Sequence, residues 1–197
     1  MDIVLICGSR GTGKDTLCQR LITGNVVYPM LWYRKEKEKK PIPQIEKGVR
    51  VAFAYSLKKQ LWASLGLPQG FDDKDAIMKD GRTFRAHCVE LGLGMREKDP
   101  TYWCRTALAC VENGTTTIVT DWRFKNEYEY ATSIGKVQSI RVFRREIPVP
   151  PQTAVEEHAL DGDSTDWLVV NSVEDYTVVC MYMPQYIEYI CSIYVPL

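Results

Sequence analysis

An apolar run, Ile3-Val4-Leu5-Ile6-Cys7, breaks into Gly8-Ser9-Arg10-Gly11-Thr12-Gly13-Lys14-Asp15-Thr16 and then into a helical pattern. That succession of buried strand, glycine-rich loop and helix is the context of a phosphate-binding loop. Glycines at 8, 11 and 13 let the backbone turn tightly and aim several N–H groups at one point, where the start of the helix adds partial positive charge. Gly8, Gly13 and Lys14 keep the G-x-x-x-x-G-K-[ST] spacing, with Lys14 set to reach the outer phosphates of a nucleotide. One position departs: Asp15 stands where a hydroxyl would hold Mg²⁺, and the hydroxyl follows at Thr16.

The chain has 197 residues, enough for one substantial core, and the expectation is a single domain over 1–197. Apolar β-rich runs at 2–7, 49–54, 116–120, 138–143 and 166–170 alternate with helical patterns at 14–23, 56–65, 82–94, 100–112, 124–134 and part of 174–193. This predicts an α/β fold, a five-stranded parallel sheet with helices on both faces in three layers. A charged, proline-broken piece at 25–48 reads as an insertion, and 75–113 as a helical region for a substrate. Lys and Arg balance Asp and Glu at 25 each, so no global field argues for nucleic acid.

The seven cysteines are scattered, with no C-x-x-C, and read as thiols of a reducing compartment without a zinc site. The first residues lack a signal-peptide pattern, and the Tyr-rich tail is too interrupted by Pro184, Gln185 and Glu188 to span a bilayer. A cytoplasmic protein without a membrane partner is expected. Tyr182, Tyr186, Tyr189 and Tyr194 leave two readings open, a core face or a homodimer patch.

The strand Ile118-Val119-Thr120 delivers Asp121 at its carboxyl end, where open α/β sheets bind ligands. Asp121 there either organises Mg²⁺ and the phosphates or caps the following helix. Arg10, Lys58, Arg82, Arg85, Arg96, Arg123, Arg144 and Arg145 cluster near helix starts and strand ends, a set suited to phosphate oxygens. The only histidines, His87 and His158, lie outside hydrolase and metal motifs; His87 reads as a packed side chain, and His158, in an acidic loop, is open as a ligand contact. A phosphate monoester acceptor, with its second pKa of about 6, is already ionised at neutral pH and needs no general base.

These residues together carry a resemblance. Gly-Lys-Asp in the loop, then Phe53-Ala54-Tyr55-Ser56-Leu57-Lys58, resemble the opening of the deoxynucleoside monophosphate kinases of phages and large DNA viruses. Arg85 to Gly92, Arg96, Pro100 and Trp103 resemble that family's substrate-side helices. Asp121-Trp122-Arg123-Phe124-Lys125-Asn126-Glu127 is similar to its D-x-R-F-x-N-E signature. Arg141 to Arg145, the His158 segment and Asp166 to Asn171 extend the likeness, leaving a gap at 25–48. The animal-type phosphomevalonate kinases are also similar in the Gly-Lys-Asp and Ser-Leu-Lys elements.

The resemblance implies a P-loop NTPase fold and ATP-dependent phosphorylation of a deoxynucleoside monophosphate, with phosphomevalonate as the alternative acceptor. It implies that Gly8, Gly11, Thr12, Gly13, Lys14, Asp15 and Thr16 hold the ATP phosphates, that Arg10 neutralises transferring charge, and that Asp15 and Asp121 organise Mg²⁺ through water. Lys58, Arg85 and Arg123 would grip the acceptor phosphate, with Arg82, Arg96 and His158 beside it. Trp103 would stack on a base or pack nearby, and Arg144 would close over ATP as a lid arginine. It further implies the host cytoplasm, if the origin is viral. Two other classes stay open, a nucleotide-dependent switch and a non-catalytic nucleotide binder; no N-K-x-D guanine element is present.

Overall fold

A computed structural model describes residues 1–24, 30–32, 45–112, 114–144, 165, 167–171 and 176–180. Contacts divide the chain into two compact units, the first from Met1–Arg50 and Asn113–Leu197, the second from Val51–Glu112. The first unit carries the sheet. Its strands are β1 (Asp2–Cys7), β2 (Met30–Trp32), β3 (Gly48–Val51), β4 (Thr116–Val119), β5 (Lys136–Arg144), β6 (Trp167–Asn171) and β7 (Tyr176–Cys180). They form one sheet in the order β2-β7-β6-β5-β1-β4-β3.

The run β6-β5-β1-β4 is parallel throughout. Ile3 lies opposite Thr117 on one side and Val137 on the other, so β1 is central and both its faces must be covered. That is why Ile3 to Cys7 are continuously apolar and all buried. Along β1 the side chains alternate between faces. Val4 and Ile6 share one core cluster with Ile118, Ile140 and Val142 and with Leu17, Cys18 and Leu21 of helix α1 (Lys14–Thr23). Their i, i+1, i+4 spacing is the inward stripe of an amphipathic helix. Ile3 and Leu5 point the other way and are as completely buried. Helix α5 (Lys125–Ile134) packs against β5, and Gly135 at its end lies close enough to Ile3 that a Cβ would meet Ile3 Cδ1 at 3.2 Å.

The sheet differs from expectation at its ends. Met30–Trp32, inside the segment read as an insertion, forms β2 and pairs in parallel with β7. Tyr176–Cys180, expected to be partly helical, is strand β7 and runs antiparallel to β6. Thr177, Val178 and Val179 are β-branched and favour the pleated conformation over a helix. At 49–54 the strand stops at Val51, and the helix begins at Phe53.

The second unit is helical: α2 (Phe53–Leu65), α3 (Phe84–Lys98) and α4 (Tyr102–Leu108). Phe53, Leu57 and Leu61 recur every fourth residue of α2 and are buried, as the 3.6-residue period requires. Gly92 lets α3 approach Leu57, where a Cβ would stand 3.1 Å from Leu57 Cδ1. Trp62 Nε1 donates to the Phe71 carbonyl at 2.8 Å, and the Phe71 and Phe84 rings meet edge to face. Thr83 caps α3 by accepting from the Ala86 N–H at 3.1 Å. Helix α2 begins three residues before the expected 56, and α3 and α4 fall within the region 75–113 read as substrate-side. Among the described residues, no helix is long and apolar enough to cross a membrane.

Candidate functional site

The end of β1 turns into α1 through three glycines with positive φ, Gly8 at 142°, Gly11 at 82° and Gly13 at 92°. Gly13 is the N-cap of α1, in a left-handed conformation, with no side-chain hydrogen bond closing the helix end. The glycine cap brings the loop into the first turn of α1, the helix end that carries partial positive charge. Gly8 also meets a contact limit: a Cβ there would lie 2.2 Å from the Val142 carbonyl oxygen of β5. The loop is thus seated against the neighbouring strand by its missing side chain.

Two side chains brace the loop from inside. Thr12, 3% exposed, donates through Oγ1 to the Ser9 carbonyl at 2.9 Å, so its hydroxyl serves the loop. Lys14 Nζ donates to the carbonyls of Gly8 at 2.6 Å and Ser9 at 2.8 Å. The ammonium therefore lies over the loop, at a position from which it can exchange carbonyl oxygens for phosphate oxygens. Arg10 and Thr16 are exposed on the same segment.

Asp15, in the first turn of α1, is held by an arginine that the motif reading does not single out. Arg50, in β3, brings both Nε (2.9 Å) and one terminal nitrogen (2.8 Å) to Asp15 Oδ1. Its Nε also approaches Thr120 Oγ1 at 3.3 Å. Thr120 immediately precedes Asp121, so one guanidinium links the loop helix to the carboxyl end of β4. Desolvation pushes the nearby Cys18 thiol up to about 11, an effect that Arg50 opposes and Asp15 reinforces. Cys18 is a neutral core side chain.

Beyond β4, Asp121 and Arg123 are half-buried. Asp121 is not the cap of α5, whose N-cap position is Phe124. That task falls to Glu127, a 3% exposed carboxylate whose Oε2 accepts from the N–H groups of Arg123 (2.9 Å) and Phe124 (3.1 Å). Trp122 Nε1 donates to the Phe124 carbonyl at 2.9 Å. The turn is thereby fixed from both sides, and Asp121 keeps its place at the strand end. Glu127→Ala is expected to destabilise the chain by about 1–3 kcal/mol, the cost of leaving buried amides unpaired. A urea midpoint equal to that of the parent would refute this cap.

In the second unit, Lys58 Nζ pairs with Asp72 Oδ1 at 2.6 Å. A turn before α3 gathers Arg82 onto Asp80 (2.8 Å), Glu90 (2.7 Å) and His87 Nδ1 (3.2 Å), while His87 Nε2 lies 3.1 Å from Asp80 Oδ1. Hydrogen bonds from Arg82 hold the Asp80 carboxyl well below its ordinary range. Since Arg82 can only donate, His87 Nδ1 accepts and Nε2 carries the proton toward Asp80. His87 is buried, as expected, and Arg82 is committed to this network. Arg85 is exposed on α3, and Arg96 is half-buried in its last turn.

Trp103 departs from the stacking expectation. It is 2% exposed, its Nε1 donates to the Gly92 carbonyl at 3.2 Å, and its ring meets Tyr102 edge to face, so it is core with no face for a base. Arg144 ends β5, but its side chain, like Arg145 and His158, lies outside the described residues.

Among the described residues no group of three or more His, Cys, Asp or Glu could cage a metal. Mg²⁺ binds through one or two carboxylates together with waters and phosphate oxygens. Asp15, in the first turn of α1, and Asp121, following β4, are carboxylates of the kind that pattern uses.

No family model matches the chain, and no curated protein matches it either.

Proposed function

We propose that this chain is an ATP-dependent kinase of deoxynucleoside monophosphates, transferring the γ-phosphoryl group in line to the acceptor phosphate. The observation that carries the reading is the loop from Gly8 to Lys14: three left-handed glycines, an uncapped helix start and a lysine poised over the turn. The proposal includes a three-layer P-loop fold with five parallel strands. The parallel run β6-β5-β1-β4, with β3 next to β4, supports it.

In this reading the loop amides and Lys14 bind the β- and γ-phosphates, and Arg10 offsets charge as the phosphoryl group moves. Asp15 and Asp121 would hold Mg²⁺ through water, and the ion would supply charge neutralisation at the phosphates. Lys58, Arg85 and Arg123 hold the acceptor phosphate, and Arg144 screens the donor from water. The buried His87, already engaged on both ring nitrogens, is not a base, and an ionised phosphate acceptor needs none.

A coupled ADP-release assay with dTMP, dGMP, dCMP, dAMP and phosphomevalonate tests the assignment. Release that depends on one or more of the nucleotides supports it; release with phosphomevalonate alone transfers the chain to the other kinase class. Acceptor-independent turnover would indicate a nucleotide-dependent switch, and ATP binding without turnover a non-catalytic binder. Arg123→Ala is expected to raise the apparent KM for the acceptor about tenfold, as loss of a charged hydrogen bond would. An effect confined to ATP affinity would reverse the two ligands.

A further inference from the structure

The carboxylate of Asp15 sits in the first turn of α1, where the loop otherwise presents N–H dipoles and Lys14 to an anion. Left alone, a negative charge there opposes the phosphates. Arg50 answers it with two nitrogens on one oxygen, and the same side chain approaches Thr120 at the end of β4. The pair is half or more exposed, with side-chain exposures of 51% and 67%, so it contributes little to folding stability. Its placement bears instead on ligand charge.

We infer that Arg50 is a positioning residue that neutralises and orients Asp15, and that it thereby lets the loop bind a nucleoside triphosphate before the metal arrives. The inference rests on the proposed nucleotide site and deepens it. With Arg50 in place, Asp15 adds no net repulsion to the incoming phosphates, and its Oδ1 is held by a guanidinium that also approaches Thr120. Without Arg50, a bare carboxylate within several ångströms of the phosphates makes binding depend on a divalent cation to bridge the two. A unit charge at such a distance and near the surface changes affinity by about tenfold or more.

The test is calorimetric titration of the full chain with ATP, in EDTA and in excess Mg²⁺, for the parent, Arg50→Met, Arg50→Lys, Asp15→Asn and the Arg50→Met/Asp15→Asn double variant. Arg50→Met should weaken metal-free ATP binding by about tenfold and Mg²⁺-ATP binding much less, so that the ratio between the two conditions widens. Arg50→Lys should fall between, keeping charge without the two-nitrogen contact. The double variant should regain the metal-free affinity of the parent, because the charge that needed compensation is gone.

If Arg50 instead touches phosphate itself, Asp15→Asn will not rescue Arg50→Met, and the inference is overturned. An unchanged metal ratio in Arg50→Met overturns it as well. Should the parent chain bind ATP in neither condition, the proposed nucleotide site itself fails and takes this role with it.

Discussion

Lys14→Ala should lower the rate of phosphoryl transfer by at least ~10²-fold, the scale seen when a preorganised donor to a developing negative charge is removed. Lys14 Nζ lies 2.6 and 2.8 Å from the Gly8 and Ser9 carbonyls, so it is held by the loop before any ligand binds. In the proposed reaction the ammonium would exchange two neutral acceptors for ionised phosphate oxygens, and its attraction would grow as charge shifts toward the bridging oxygen. The loss should therefore appear mainly in kcat, with ATP affinity falling less. Steady-state kinetics with a saturating acceptor would read this directly. An unaltered kcat would remove Lys14 from the chemistry, and equal losses in affinity and kcat/KM would reduce it to a ground-state contact.

Gly8→Ala should damage the fold far more than a methyl added at an open glycine. Two costs combine: φ at 142° is a conformation that L side chains rarely adopt, and the added Cβ would stand 2.2 Å from the Val142 carbonyl. Backbone on β5 cannot rotate away as a side-chain tip can, so the loop or the strand must move, at ~3 kcal/mol or more. Gly24→Ala is the matched control. Gly24 has φ 71° and open space, with nothing within 4 Å of where an added methyl would stand, so only the left-handed penalty of about 1 kcal/mol applies. Chemical unfolding of both variants separates the terms. Similar small losses would mean that the close approach to β5 relaxes freely.

The junction from β1 through the loop to α1 is legible in the sequence because every determinant is local: an apolar run, glycine spacing and a helical stripe within one short segment. The sheet's outer strands are not. Tyr176–Cys180 is a short apolar run that periodicity alone does not assign, and pairing with β6 and β2 decides for a strand. Arg50 is hidden for a related reason. Its partners lie 35 and 70 positions away, and nothing around Gly48-Val49-Arg50-Val51 marks it as different from any exposed strand arginine.

Glu127 is in view as the last letter of D-x-R-F-x-N-E, yet the sequence offers Asp121 as the more obvious cap. A capping box is sought as Ser or Thr three residues before Glu, and here Phe124 occupies that place. A phenylalanine side chain cannot accept a hydrogen bond, so half of the device persists without its usual spelling. Trp103 carries two readings in the sequence, stacking on a base or packing, and the structure favours the second. An aromatic residue in a candidate substrate region suggests stacking, but its neighbours Cys104, Ala107 and Leu108 on α4 are buried too, and that stripe is core.

The pairing of β1 has a consequence for the order in which this molecule can assemble. Asp2–Cys7 is translated well before its two partners, β4 and β5, and Ile3 must wait for Thr117 and Val137. The helical unit Val51–Glu112 is continuous in sequence and emerges from the ribosome complete before either partner exists. At ~5–20 residues per second, the central apolar strand of the sheet spends seconds without a neighbour to join. Chaperone occupancy during synthesis should accordingly peak before β4 appears and fall once β5 has followed it.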